Sequence, residues 1–138
     1  ETVKKIFDVR CSREAHIERT NVTMATTFVK LPEKTAAPIE TDLDGWKKVE
    51  GEPTMKTWIE YSTEDALCGT WEATVGTYEA TYTNFEFVHL IAGKILITPE
   101  GGEPYMVTAG DAFVVEKDFK GTWKIEENVK KHFYIKLK

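Results

Sequence analysis

The stretch that decides the fold is VKKHFYIKL, residues 129–137. Its odd-numbered positions hold valine, lysine, phenylalanine, isoleucine and leucine, whereas its even-numbered positions are mostly polar. A period of two with one apolar side is typical of a strand that buries one face. Asn128 comes directly before the stretch as a turn residue, so we predict a half-buried strand that begins after it.

Two further stretches upstream carry a strand signal. Residues 119–126 alternate in the same way, with Gly121 and Trp123 on the apolar side. Residues 85–91 are largely apolar on both sides, which is typical of a strand covered by a second sheet or a second subunit. Turn signals separate these short runs at Ala92-Gly93, Pro99-Glu100-Gly101-Gly102 and Ala109-Gly110-Asp111. We therefore predict an all-β fold, built as a sandwich or barrel.

The amino-terminal part of the chain has a different character. Residues 26–31 are β-prone, and we expect them to form an extra strand that pairs across a subunit interface. Residues 32–44 contain two prolines and show no periodicity, so a loop is predicted here. The chain is accordingly divided into an amino-terminal extension, residues 1–44, and a β domain, residues 45–138.

Composition narrows the function classes. The net charge of −5 argues against a nucleic-acid partner, because phosphate binding requires a dominant basic face. No apolar run approaches the ~20 residues that span a bilayer, so no membrane partner is expected. Cys11 and Cys68 are the only cysteines and lie far apart in the sequence, from which we expect reduced thiols in a cytoplasmic protein.

Several phrases resemble a known family. They are GTWEATVGTY at residues 69–78, AGDAFVV at residues 109–115 and GTWKI at residues 121–125. They are similar to the small single-domain cupins akin to ureidoglycine aminohydrolase and to an ethanolamine-utilisation cupin. The resemblance covers about residues 45 to 137. It implies a single cupin barrel, an RmlC-like jelly roll, that follows the amino-terminal extension.

The resemblance also implies a place for metal ligands, which this chain has largely lost. Glu86 and Gly93 match the glutamate and glycine of the first cupin motif. The two histidines of that motif would fall within residues 79–82, which are Glu, Ala, Thr and Tyr. The histidine of the second motif would fall on Gly121. Only the glutamate of the implied ligand set is retained, so we expect neither a metal ion nor another cofactor.

The histidines of the chain point to the same expectation. A transition metal requires three or four donors that converge on one point. The chain contains only His16, His89 and His132. His89 lies on the strand side opposite Glu86, and His132 lies on the side opposite the apolar stripe. These three side chains are therefore not expected to meet.

The alternation of strand residues predicts which side chains enter the barrel. Glu86, Val88 and Leu90 are expected to point inward. The carboxylate of Glu86 in an apolar interior is costly unless it is hydrogen-bonded. The sequence identifies no cation near Glu86. Glu86 is either a residue of a binding or catalytic site or part of a structural hydrogen-bond network, and the sequence leaves both possibilities open. Gly121 leaves room beside Glu86. The further candidates for ligand binding are aromatic, namely Tyr78, Tyr82, Trp71 and Trp123.

Two functions are compatible with this interior. The first is a metal-free cupin that binds a small molecule inside the barrel. The alternative is an enzyme in which Glu86 is a general acid or base that acts on a small amide, amine or carbonyl substrate, as the resemblance to an aminohydrolase implies. A third hypothesis is a purely structural or partner-binding subunit. The apolar strand at residues 85–91 and the segment at residues 26–31 further predict a homodimer or larger assembly.

Overall fold

The computed structural model describes residues 28–33 and 35–137. These residues form strands and no helix, which confirms the prediction of an all-β fold. The eight strands are β1 (Trp46–Glu50), β2 (Met55–Ser62), β3 (Ala66–Ala73), β4 (Gly76–Thr81), β5 (Phe85–Pro99), β6 (Tyr105–Thr108), β7 (Ala112–Val115) and β8 (Lys120–Lys136).

The two longest strands, β5 and β8, pair with each other and organise the sheet. The other edge of β8 pairs with β3 in one half of the molecule and with β4 in the other half. Beyond these, β2 pairs with β3, and β1 pairs with β4. The free edge of β5 is extended by β7 in the first half and by β6 in the second half.

Two of the predicted turns are wrong, because both lie inside the long strands. Asn128 is part of β8, and Gly93 is part of β5. The pairing of these strands shifts register between Leu90 and Ile95, where Gly93 adopts a positive φ of 95°. Bulges of this kind bend and twist a strand without ending it. The bend allows one continuous strand to belong to both halves of the curled sheet.

The two halves of the sheet face each other across an aromatic core. Trp71 on β3 belongs to one half and Trp123 on β8 to the other, and their ring centroids lie 6.0 Å apart at nearly a right angle. The apolar side predicted for residues 129–137 points into this core, where Val129 and Phe133 are buried. The alternation within residues 85–91 is also as predicted, with Glu86, Val88 and Leu90 buried.

The opposite side of the first part of β5 is not covered within the described chain, so cover by a second subunit stays a prediction. This strand was expected to be covered on both sides by a second sheet or a second subunit, and in the single chain Phe87 is 42% exposed and Ile91 is 37% exposed on the outer face. The single chain therefore covers only the inner side of residues 85–91. The curled sheet has one core, and its outer surface has no second layer among the described residues.

The amino-terminal extension is described only in part. Residues 1–27 lie outside the described residues, and so do His16 and Cys11. Of the predicted interface strand at residues 26–31, the described residues 28–31 are not in a strand. Residues 35–44 contribute one isolated bridge, in which Ile39 pairs with Thr57 of β2. The pairing of an extension strand with a second subunit stays a prediction.

Candidate functional site

A small cavity lies on the inner side of the sheet, beside the segment that joins β4 to β5. Its volume is about 60 Å³. Much of its wall is apolar and is formed by Ile59, Leu67, Trp71, Phe133 and Ile135. Its polar lining includes Thr57, Tyr82, Glu86 and Lys131. A carboxylate, an ammonium group and two hydroxyl groups therefore lie beside a largely apolar wall. Further polar lining comes from Asp44, Thr81, Thr83 and Asn84.

Glu86 is the centre of this polar group. Its side chain is almost fully buried, and its residue is only 4% exposed. The hydroxyl of Tyr82 donates a hydrogen bond of 2.6 Å to Oε1 of Glu86. Nζ of Lys131 donates a hydrogen bond of 2.9 Å to Oε2. Both carboxylate oxygens are thus engaged, which offsets much of the cost of burying the charge.

The premise that no cation lies near Glu86 is wrong, because Lys131 forms a buried ion pair with it. Lys131 is only 2% exposed and comes from the inner side of β8. The strand pattern contained the signal that would have found it. Lys131 is the one charged residue on the apolar side of residues 129–137, and a lysine placed there has to find a partner.

Aromatic rings complete the surroundings of the Lys131 ammonium group. Its Nζ lies 4.6 Å from the ring centroid of Trp71 and 4.8 Å from that of Trp123. Trp46 on β1 contributes a third ring at 5.9 Å. Cations are attracted to aromatic faces at such distances. Burial nevertheless lowers the pKa of Lys131, and the Glu86 carboxylate opposes this shift only in part.

Tyr82 is held in its protonated form. Burial raises the pKa of its hydroxyl well above the ordinary value, and the neighbouring Glu86 carboxylate raises it further. Tyr82 is therefore a hydrogen-bond donor throughout the neutral pH range. It occupies one of the two positions to which motif counting assigns the second histidine of the first motif.

Trp46 is an interior aromatic that the sequence patterns did not single out. Its ring lies 5.0 Å from that of Trp123 and 5.4 Å from that of Trp71, between centroids. Only the start of β1 is inward-facing, because the rest of this short edge strand is exposed. With so few residues, β1 shows no alternation that would reveal Trp46.

The other three aromatic candidates lie at different distances from the pocket. Trp71 lines the cavity, whereas Trp123 lies beneath Lys131 and Tyr78 lies farther along the core. The Tyr78 hydroxyl donates a 2.9 Å hydrogen bond to Asp42, and burial together with Asp42 raises the pKa of Tyr78. Tyr78 is thus directed to the amino-terminal segment, away from Glu86.

Gly121 does not line the cavity that contains Glu86. A Cβ atom at this position would lie 2.3 Å from the backbone oxygen of Thr98 and 3.0 Å from Cα of Pro99. The absence of a side chain at Gly121 permits the close approach of β8 and β5. The structure therefore assigns Gly121 to strand packing and not to ligand room beside Glu86.

Thr57 is a polar lining residue that the sequence patterns did not reveal. It lies on β2 and is buried, and its hydroxyl has no hydrogen-bond partner among the described protein atoms. A buried hydroxyl without a partner is uncommon, since leaving one unpaired costs about 1–3 kcal/mol. Thr57 thus offers one free hydrogen-bonding group to whatever occupies the cavity.

The comparison with known families agrees with this architecture. A family model described as the EutQ-like cupin domain matches residues 62–133. The chain belongs to this cupin family. The match covers β3 to β7 and most of β8, and it therefore includes Glu86 on β5 and Lys131 on β8.

Solved cupin structures share the fold. The EutQ protein of Clostridium difficile is 16% identical, with a TM-score of 0.57 over 62% of this chain and 69% of that one. A protein of unknown function from Pseudomonas syringae pv. tomato is 21% identical, with a TM-score of 0.59 over 75% of this chain and 46% of that one. The polyketide cyclase RemF from Streptomyces resistomycificus is 11% identical, with a TM-score of 0.59 over 80% and 81%. Identities this low show the fold alone.

No curated protein sequence matched this cupin significantly. None of the described residues forms a helix of the length and hydrophobicity needed to traverse a bilayer.

The donor set of this cupin pocket does not fit a metal ion. Within residues 28–33 and 35–137, no group of three or more His, Cys, Asp or Glu side chains converges. His89 and His132 are direct cross-strand partners on the outer side of the sheet, opposite to the side on which Glu86 points inward. Any metal held by Glu86 would have to displace the Lys131 ammonium group, which already neutralises the carboxylate.

Proposed function

We propose that this protein is a metal-free cupin that binds a small molecule in its interior pocket, at the buried network of Tyr82, Glu86 and Lys131. The observation that carries the proposal is the network itself, which borders a cavity. Apolar side chains of similar volume often stabilise a core better than a buried ion pair does. A pair kept at a cavity wall is therefore best explained by what it binds.

The shape and lining of the cavity indicate the class of ligand. A volume of about 60 Å³ is far below the ~300–1,000 Å³ of pockets that hold drug-sized molecules. The occupant must therefore contain few non-hydrogen atoms. Leu67, Phe133 and Ile135 favour an apolar portion, while the free hydroxyl of Thr57 favours one polar group. A short aliphatic compound with a single oxygen function meets these conditions.

The alternative function is enzymatic, with Glu86 as a general acid or base. One observation favours it. Glu86 lies within hydrogen-bond distance of two groups that exchange protons, the Lys131 ammonium and the Tyr82 hydroxyl. General acid–base chemistry requires such reach, and a small amide, amine or carbonyl compound would be the substrate.

Two measurements test the proposal. Native mass spectrometry with elemental analysis of freshly purified protein reports bound metal, and a ligand-detected NMR titration reports binding of a small molecule. We expect no stoichiometric metal, and we expect 1-butanol to bind in a ligand-detected NMR titration of the wild-type protein. The variant Ile59→Trp places a larger side chain in the cavity and should abolish the 1-butanol signal. Val75→Trp, at an exposed turn, should leave the signal unchanged. Zinc, manganese, nickel or iron that survives mild chelation at one ion per chain would overturn the proposal.

A further inference from the structure

Lys131 supplies the one amine of the described cavity lining. We propose that this amine forms a Schiff base with a small aldehyde or ketone that enters the pocket. The inference rests on the proposed function, because the carbonyl compound must first bind in the cavity. It goes further by assigning a covalent reaction to Lys131 and a carbonyl group to the ligand.

The position of Nζ suits a nucleophile. An amine attacks a carbonyl carbon only in its neutral form, and proteins favour that form by removing the group from water. Lys131 is buried, it lines the cavity, and its one close acceptor is the carboxylate of Glu86. Burial lowers the pKa of Lys131 and so raises the share of neutral amine.

Glu86 is placed to move the protons that the reaction requires. Nζ of Lys131 passes one proton to Glu86, and the freed lone pair attacks the carbonyl carbon. A C–N bond forms while the π pair of the carbonyl moves to oxygen. Glu86 returns the proton to that oxygen, then takes a second proton from nitrogen and delivers it to the same oxygen.

The oxygen leaves as water, and the nitrogen lone pair completes the C=N bond. Lys131 keeps one proton and its positive charge, and Glu86 ends as a carboxylate. No external oxidant or reductant takes part in the step.

The electrostatics of the pocket favour the product as much as the starting state. The protonated imine carries the same charge at the same atom as the Lys131 ammonium group. Oxygen Oε2 of Glu86 and the faces of Trp71 and Trp123 therefore stabilise both species. The positive charge of Lys131 is buried before the reaction and stays buried in the imine, so imine formation adds no desolvation cost for that charge.

The lining also selects the carbonyl compound. The unpartnered Thr57 hydroxyl can donate to the carbonyl oxygen while the carbon faces Lys131. Ile59, Leu67 and Phe133 disfavour a charged or strongly hydrated chain on their side of the pocket. The pocket size restricts the compound to a short chain.

Reductive trapping tests the inference. The intact protein is incubated at neutral pH with limiting butanal and cyanoborohydride, which reduces a protonated imine to a stable secondary amine. The modified lysines are then located by peptide mapping. We expect the adduct at Lys131 to form at least about tenfold faster than at the exposed Lys124, a difference of about 1.4 kcal/mol in activation free energy. A merely buried lysine would react last.

Matched variants and a second probe separate the possible results. Lys131→Met should remove the fast adduct, Lys124→Met should retain it, and Glu86→Gln should slow it. The wild-type peptide map decides the matter even if Lys131→Met fails to fold. Binding of 1-butanol without an adduct at Lys131 would overturn the inference and leave the proposed function standing. No binding of 1-butanol and no adduct would overturn both, and an adduct spread evenly over exposed lysines would overturn the inference.

Discussion

Glu86 and Lys131 form a buried ion pair although they are not cross-strand partners. Glu86 pairs with Ile135 in the ladder between β5 and β8, whereas Lys131 pairs with Leu90. The lysine side chain spans the interval along the sheet, and its Nζ reaches Oε2 of Glu86 at 2.9 Å. The pair therefore connects the two longest strands by a diagonal contact inside the core.

Removing the charge of Glu86 should destabilise the protein. In Glu86→Gln the Lys131 ammonium group stays buried but faces a neutral amide. Breaking a buried ion pair by changing one partner costs about 3–5 kcal/mol, and the remaining hydrogen bond places the expected loss near the lower value. Urea denaturation measures the free energy of unfolding. The exposed Glu79→Gln is the control, and an equally small change in both variants would show that the pair contributes nothing.

Replacing both partners should restore much of the loss. The double variant of Glu86→Leu and Lys131→Met removes both charges and fills the same space with apolar groups. Such replacements of buried pairs are often neutral, whereas each single variant leaves an uncompensated group. We expect the double variant to be more stable than either single variant in a double-mutant cycle. Simple additivity of the two single losses would contradict a direct interaction between Glu86 and Lys131.

Strand alternation predicted the interior of this protein well because it depends only on local geometry. Side chains of a strand point to opposite sides at successive residues, so Glu86, Leu90 and Trp123 were correctly assigned to the core. The same geometry placed Lys131 on the inner side, but alternation carries no information on diagonal partners. The contact with Glu86 depends on the twist of the sheet and on the reach of a long side chain.

The bulges explain two other differences. Gly93 and Asn128 are residues that favour turns, and local propensity alone cannot distinguish a turn from a bulge. The distinction comes from β5 and β8 pairing along their whole length, which is a long-range property. The prediction that Gly121 leaves room for a ligand is wrong for a related reason. The space beside Gly121 is filled by the backbone of Thr98, and this contact also comes from the long-range pairing of β5 and β8.

The stability of the protein at alkaline pH should depend on the buried hydroxyl of Tyr82. The pKa of Tyr82 is raised in the folded state, so the folded protein holds this proton at pH values where the unfolded chain, with an ordinary pKa of about 10, has lost it. Its contribution to stability is complete below pH ~10 and declines as the pH rises towards the folded-state pKa. Tyr82→Phe should therefore lose stability less steeply than wild type in this range.

Denaturation midpoints at a series of alkaline pH values measure this difference. The lowered pKa of Lys131 acts in the opposite direction, since its folded state binds fewer protons than the unfolded chain below the ordinary lysine pKa. Lys131 is present in both proteins, so the comparison isolates Tyr82. The exposed Tyr105→Phe should follow wild type, and parallel curves for wild type and Tyr82→Phe would refute the expectation.

A methyl group at Gly121 should affect the fold and not ligand selectivity. In Gly121→Ala the new Cβ would meet the backbone oxygen of Thr98, and a strand backbone cannot move aside as a side chain can. Overpacking of this kind costs about 1–3 kcal/mol. Thermal denaturation measures the loss, and Gly102→Ala, whose nearest neighbour is Pro99 Cβ at 3.3 Å, is the control. Full stability of Gly121→Ala with altered 1-butanol binding would return Gly121 to the ligand site.

The outer face of the sheet carries an apolar row that favours self-association. Val114, Phe87 and Tyr134 are neighbours across β7, β5 and β8. All three are exposed, with Val114 51% accessible. Adjacent exposed apolar side chains mark interaction surfaces, and a two-fold dimer allows the same row to meet its own copy.

We expect the protein to sediment as a homodimer or larger assembly at micromolar concentration. Phe87→Glu places a charge at the centre of the row and should yield the 15.7 kDa monomer, with an unchanged far-UV circular dichroism spectrum that shows the fold is retained. Val75→Glu changes an equally exposed apolar residue in the turn between β3 and β4 and should leave the assembly intact. A wild-type sedimentation mass equal to that of one chain would refute the dimer. It would show that the exposed apolar row does not associate with its own copy at micromolar concentration.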